Sequence, residues 1–341
     1  MSPTMAGIAG FAALILLMFL RMPIGFVMAI VGYVGFGLLV SWSAAGNLLI
    51  RDIYSTFSAY NLTVIPLFVL MGQIAFHAGI SGRLFLAAHR FFGHLPGGLA
   101  IATIGACAGF SAVCGSTSAT AATMASVALP EMKKYRYDPA LATSVVAAGG
   151  SLGILIPPST IFIIYGIMTE QSIGELFLAG IIPGILLTCF FVISILIWTA
   201  LKPDIGPRGR KATWRERIQS LSGLIETLIL FVLVMGGLFG GLFTPTEAAG
   251  IGAFGTIVIA LAGRHLSWEG FKNALFDTTR ISAMIFVVVA GATVFGHFLA
   301  VTRIPADIGA TVAALDWHPI LIMALILLIY LLLGCLMDSL A

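Results

Sequence analysis

The sequence predicts an all-α polytopic membrane protein in which re-entrant helical hairpins are arranged as inverted repeats. Three observations lead there. Of 341 residues, 60% are hydrophobic and only 9% are charged, against about 25% charged in a soluble domain. The apolar residues form long continuous blocks without strand-like alternation, the pattern of membrane helices. Finally, two of those blocks are interrupted by runs unsuited to plain helix: Cys114-Gly-Ser-Thr-Ser-Ala-Thr-Ala-Ala-Thr-Met124 and Gly149-Gly-Ser-Leu-Gly-Ile-Leu-Ile-Pro-Pro-Ser159. Broken helix at membrane depth is tolerated only where protein or a water-filled cavity covers the freed backbone.

The blocks run approximately 5–20, 22–40, 56–80, 97–113, 118–130, 139–168, 175–200, 223–242, 246–262, 281–301 and 318–337. A spanning helix needs about 20 apolar residues, so several blocks are too short to cross. Ala6–Leu20 is apolar, but Arg21-Met-Pro-Ile follows it and no basic segment precedes it; it reads as a retained helix, not a signal peptide. Residues 202–217 carry Lys202, Arg208, Arg210, Lys211, Arg215 and Arg217 against Asp204 and Glu216, which places that loop in the cytoplasm by the positive-inside rule.

Tracing backward, block 175–200 starts outside, next to Glu170 and Glu175, and block 139–168 starts inside, next to Lys133, Lys134 and Arg136. The 81–96 loop, with Arg83 and Arg90, is also cytoplasmic. Residues 97–130 therefore begin and end on one side, and two short helices dip in and return with Cys114–Ser118 at the tip. Tracing forward, block 223–242 goes out, 246–262 returns, 281–301 goes out and 318–337 enters from the opposite side to the first hairpin.

Leu67-Phe-Val-Leu before Cys114-Gly115 is echoed by Ile285-Phe-Val-Val before Gly334-Cys335, a weak repeat of inverted topology. The implied organisation is N-terminal scaffold helices over 1–55, a first repeat over 56–200 with hairpin 97–130 and broken helix 139–168, a basic loop over 201–222, scaffold or linker helices over 223–280, and the start of a second repeat over 281–341. By that repeat the chain stops where the second hairpin turns, so it reads as truncated at its C-terminus.

In carriers, ions and substrates bind where helices break at a repeat interface. At the first tip, Ser116, Thr117, Ser118 and Thr120 supply hydroxyls, and Gly115 lets carbonyls turn inward. Carbonyls and hydroxyls suit a small hard cation, and the start of the 118–130 arm presents free N–H groups to a carboxylate. In the second run, Gly149, Gly150 and Gly153 precede Pro157-Pro158. Each proline lacks the N–H that would pair the carbonyl four residues back, here those of Gly153 and Ile154.

Other chemistry finds little support. Gly149-Gly-Ser151-Leu-Gly153 matches a nucleophile elbow in letters only, without a strand–turn–helix setting or a histidine and acid. There is no H-E-x-x-H metal motif and no basic-aromatic tract for nucleic acid. The four cysteines, Cys107, Cys114, Cys189 and Cys335, form no C-x-x-C pair and read as small buried residues. The histidines lie mostly near segment ends; His297 sits deeper. Thr244-Pro-Thr-Glu247 reads as a helix start with Thr244 or Thr246 as cap. Asp338, just beyond Gly334, is placed to serve the second tip.

The residues assembled above resemble the large membrane (M, DctM-like) subunit of tripartite ATP-independent periplasmic (TRAP) transporters. The likeness covers nearly the whole chain. It is carried by the two runs quoted above together with Val127-Ala-Leu-Pro-Glu-Met132, Tyr137-Asp-Pro-Ala-Leu-Ala-Thr143, Ser172-Ile-Gly-Glu-Leu-Phe-Leu-Ala-Gly180 and Gly241-Leu-Phe-Thr-Pro-Thr-Glu-Ala-Ala249. The resemblance implies an elevator-type transporter of the bacterial cytoplasmic (inner) membrane. It would import an organic acid, such as a dicarboxylate, sialic acid or a similar carboxylate, by sodium symport. It would work with a small membrane subunit (Q) and a soluble periplasmic substrate-binding protein (P), with Na+ as coupling ion and no other cofactor.

Carried onto this chain, sodium falls to Gly115, Ser116, Ser118, Gly150, Gly153, Ile156, Pro157, Gly334 and Asp338, and substrate to Thr117, Thr120, Pro158 and Ser159. Family members continue past residue 341 with a second hairpin, from which this sequence departs. The alternative reading is a stand-alone secondary carrier of organic anions with a related inverted-repeat fold.

Overall fold

The computed structural model describes residues 2–314 and 317–334, the Ser222 side chain excepted. Among these there is no strand. The helices are α1 (Pro3–Phe19), α2 (Ile24–Leu39), α3 (Trp42–Ser58), α4 (Val64–His77), α5 (Ile80–Phe92), α6 (Gly98–Cys114), α7 (Thr117–Lys134), α8 (Pro139–Gly150), α9 (Leu152–Leu155), α10 (Thr160–Met168), α11 (Ile173–Leu201), α12 (Trp214–Phe239), α13 (Pro245–Ala262), α14 (Trp268–Thr302), α15 (Ile304–Ala313) and α16 (Pro319–Gly334). Their starts follow ordinary capping rules: Ser2, Ser41, Ser116, Asp138, Ser159, Ser172, Thr213 and Thr244 each accept a backbone N–H. Thr244 is the cap of α13 and forms a full capping box with Glu247.

Six stretches among the described residues are long and apolar enough to cross a membrane: Tyr60–His77, Pro139–Met168, Ile173–Leu201, Trp214–Phe239, Pro245–Ala262 and Trp268–Thr302. Neither α6 nor α7 is one of them, in line with the short arms read from sequence.

Several elements differ from the hydropathy reading. Helices α3, α5 and α15 are additional. The basic segment is shorter than 201–222, because α12 already begins at Trp214. Residues 268–280 are helical and continuous with the apolar block that follows. Each addition carries charge, for example Arg51 and Asp52 on α3 or Arg83 and Arg90 on α5, so mean hydropathy hides the helix.

The chain divides into two compact units, residues 1–60 with 281–341 and residues 61–280. In the first, α2 packs closely on the later part of α14 through glycines. A Cβ on Gly25 would meet the Val287 backbone at 2.8 Å, and one on Gly32 would meet the Phe295 amide at 2.8 Å. Leu14, Val27, Met28, Val31, Phe295 and Phe298 form its apolar core. In the second unit, α6 is the central helix: Leu99, Ile104, Cys107 and Phe110 are buried along it, and α4, α5, α7, α8 and α11 pack around it.

Candidate functional site

The α6–α7 connection is only two residues long. Gly115 ends α6 at φ 64°, the left-handed conformation that glycine adopts without a Cβ penalty. Ser116 then caps α7, its Oγ accepting the Ala119 amide at 3.4 Å. In the second broken segment α8 ends at Gly150, α9 is a single turn, and the chain bends through Ile156-Pro157-Pro158, with a cis Pro157–Pro158 bond, before Ser159 caps α10.

The two runs converge within the second unit. The Gly115 carbonyl accepts the Thr160 amide at 3.3 Å and the Thr160 hydroxyl at 2.6 Å. A Cβ on Gly115 would stand 2.5 Å from the Pro158 carbonyl oxygen, one on Gly150 would meet the Ala121 Cβ at 2.7 Å, and one on Gly153 would collide with the Ser116 carbonyl. These glycines are thus the close contacts by which the tip seats on the broken helix. Gly180 and Gly184 of α11 wall the break closely: a Cβ on Gly180 would stand 2.7 Å from the Leu155 carbonyl oxygen, and one on Gly184 2.9 Å from the Ile156 side chain.

Two helix N-termini, those of α7 and α10, begin at this junction. Each presents unpaired N–H groups and the positive end of a helix dipole. The Thr117 hydroxyl oxygen is buried there without a hydrogen-bond partner, while the buried Thr120 hydroxyl meets the Cys114 thiol. Buried polar atoms are normally satisfied, so the Thr117 hydroxyl is an open valence at the place where a polar ligand would sit. Ser118, by contrast, is exposed, while Pro157, Pro158 and Ser159 are buried.

The freed carbonyls need a correction. The Ile154 carbonyl is not left open by Pro158, because the Ser159 hydroxyl donates to it at 2.6 Å. The Gly153 carbonyl keeps its opening, since Pro157 has no N–H to give it. Gly334 is the last residue of α16, in the other unit, with open space where its Cβ would be. Asp338 lies outside the described residues.

Two relationships escaped the sequence reading, the second of them away from this junction. Thr160, next to Ser159, was signalled only by the Ser-Thr start of an apolar run. In the first unit, His297 Nε2 lies 3.4 Å from Oδ2 of Asp52, a buried carboxylate of α3. The other chemistries gain nothing: Ser151 sits between helices donating to the Ala148 carbonyl, and among the described residues no three histidines, cysteines or acids gather as a metal site.

Compared with known families, residues 11–341 match the model described as "Tripartite ATP-independent periplasmic transporter, DctM component". Among curated proteins, the chain is 35% identical over 90% of its length to the isethionate TRAP transporter permease protein DctMQ of Oleidesulfovibrio alaskensis, of which it covers 49%. It is 34% identical over 88% of its length to the C4-dicarboxylate TRAP transporter large permease protein DctM of Pseudomonas aeruginosa, covering 70% of that protein. It is 32% identical over 95% of its length to the sialic acid TRAP transporter large permease protein SiaM of Vibrio cholerae, covering 75%. The chain thus spans about half to three quarters of the length of these relatives, which are named as permeases and not as enzymes.

Proposed function

Since the chain belongs to the DctM-component family of tripartite ATP-independent periplasmic transporters, we propose that it imports an organic acid by sodium symport, as the large permease subunit of such a system. It is a multi-pass protein of the bacterial inner membrane. The proposed partners are a small membrane subunit and a soluble periplasmic binding protein. The relatives' printed names include isethionate, C4-dicarboxylate and sialic acid, so the proposal is held at the class of organic anions, carboxylates first.

The observation that carries this reading is the meeting of the Gly115–Thr120 tip with the Gly150–Thr160 break. Sodium would take oxygens from this junction: the Gly153 carbonyl, with the hydroxyl-rich tip at Ser116 and Ser118 and the backbone at Gly150, Ile156 and Pro157. The Gly115 carbonyl already holds two donors from Thr160, so ligation there requires Thr160 to let go. A substrate carboxylate would lie at the N-termini of α7 and α10, where Thr117, Thr120, Pro158 and Ser159 stand and where a negative charge is stabilised. The repeat containing this junction would move against scaffold helices as an elevator, with Gly334 and Asp338 serving a second sodium site.

The test is uptake into proteoliposomes holding this subunit and its small membrane partner, with the binding protein outside. The proposal expects accumulation that requires both an inward sodium gradient and the binding protein. Uptake indifferent to sodium would overturn symport; uptake without the binding protein would favour a stand-alone carrier.

A further inference from the structure

The segment between α11 and α12 is fastened across the base of the α6–α7 hairpin. The Gly206 carbonyl accepts the Gly97 amide at 2.9 Å, the Gly209 amide donates to Gly93 at 2.8 Å, and the Ile205 carbonyl accepts the Asp138 amide at 3.0 Å. The Tyr137 hydroxyl donates to the Pro207 carbonyl at 3.0 Å and accepts the Leu99 amide at 3.1 Å. This lays Arg208, Arg210 and Lys211 near the end of α5, with Arg90, and ahead of the start of α12, with Arg215 and Arg217.

The acid among them, Glu216, is already engaged. It accepts the Thr213 amide at 2.7 Å and pairs with Arg210 at 2.8 Å and Arg90 at 3.2 Å. Among the described residues no carboxylate reaches Arg208, Lys211, Arg215 or Arg217 within ion-pair distance. Arg215 and Arg217 moreover occupy the first turn of a 26-residue helix, where the dipole disfavours cations. The Arg217 guanidinium is held against the rings of Trp214 (5.3 Å) and Phe91 (5.7 Å), yet its Nε and Nη2 are buried with no hydrogen-bond partner. Arg217 as a whole is only half-buried, and a guanidinium fixed between two rings, with no carboxylate beside it, on a positive helix end suits an anion.

The surroundings say which. Trp214 is 73% exposed and Ile218 64% exposed. Below them Ile225, Leu228 and Val232 continue an exposed apolar stripe down a helix apolar enough to cross the membrane. A charged head over an apolar stripe, flanked by an exposed tryptophan, fits the membrane–water boundary. We propose that the start of α12 binds an anionic phospholipid, its phosphate on Arg217 and Arg215 and its acyl chains along Ile218, Ile225, Leu228 and Val232. The site lies at the foot of the hairpin, so lipid charge would bear on the element that carries the transport junction.

Native mass spectrometry of the purified subunit from phosphatidylcholine nanodiscs doped with phosphatidylglycerol or cardiolipin tests this. The wild type should retain the anionic lipid over phosphatidylcholine. Arg217→Gln and Arg215→Gln, the latter at an exposed position, should each weaken retention about fivefold, Arg264→Gln should leave it unchanged, and inorganic phosphate should not displace the lipid. Equal retention by wild type and both variants, equal retention of phosphatidylcholine, or displacement by inorganic phosphate would each overturn it.

Discussion

Thr160 satisfies the Gly115 carbonyl twice, from its amide at 3.3 Å and from its hydroxyl at 2.6 Å. This one side chain ties the tip of the α6–α7 hairpin to the start of α10. Removing its hydroxyl leaves the amide bond and costs about 1 kcal/mol, a drop of about 1–2 °C in the thermal transition of a 341-residue chain. Thr160→Val should show that loss and Thr160→Ser should not. Equal behaviour of the two in a thermal melt would mean the hydroxyl contributes nothing.

Gly153 has no room for a side chain, because a Cβ would collide with the Ser116 carbonyl, whereas Gly250 of α13 faces open space. Gly153→Ala should destabilise by about 1–3 kcal/mol through overpacking and abolish uptake by displacing the tip. Gly250→Ala should be neutral or gain up to about 1 kcal/mol of helix propensity. Thermal melts and uptake on the two variants together separate local fit from a general intolerance of alanine.

Tyr137 holds the hairpin base by bonding both the Leu99 amide and the Pro207 carbonyl, and burial pushes its hydroxyl above the usual tyrosine range. Tyr137→Phe removes both bonds and leaves two backbone groups short, a loss of about 1–3 kcal/mol. Limited proteolysis between residues 202 and 213 should speed up in the variant. An unchanged cleavage rate would show that the segment is held by other contacts.

Burial holds the His89 imidazole below its ordinary value; Glu131 opposes this, and Arg90 and Lys134 reinforce it. The unfolded chain therefore takes up a proton at a higher pH than the folded one. The stability this neutral histidine contributes is complete above its unfolded value, about 6.5, and is lost as pH falls from there toward the folded value. Melting temperatures at pH 7.5 and 5.5 should differ more in the wild type than in His89→Gln. An equal acid loss in both would assign the effect to other groups.

What was legible in the sequence was local. Glycine, hydroxyl and proline runs inside apolar blocks betray a broken backbone whatever packs against it, so Gly115–Ser118 and Gly150–Pro158 stood out. Thr244 and Glu247 announced a helix start for the same reason. Helices α3 and α5 were hidden because Arg51 and the buried Asp52 in one, and Arg83 and Arg90 in the other, lower their mean hydropathy. The roles of Thr160 and of Ser159 toward Ile154 are matters of tertiary contact, which no local pattern encodes. The His297–Asp52 pair was half visible: the histidine stood out in an apolar block, its carboxylate partner did not.

If tip and break form one sodium-binding junction, sodium should stabilise the purified subunit against heat. A ligand that binds only the folded state raises its stability with concentration. The account predicts a rising melting temperature in sodium but not in potassium, lost in Gly150→Leu and strongly reduced in Ser116→Ala. A sodium shift of undiminished size in both variants would contradict it.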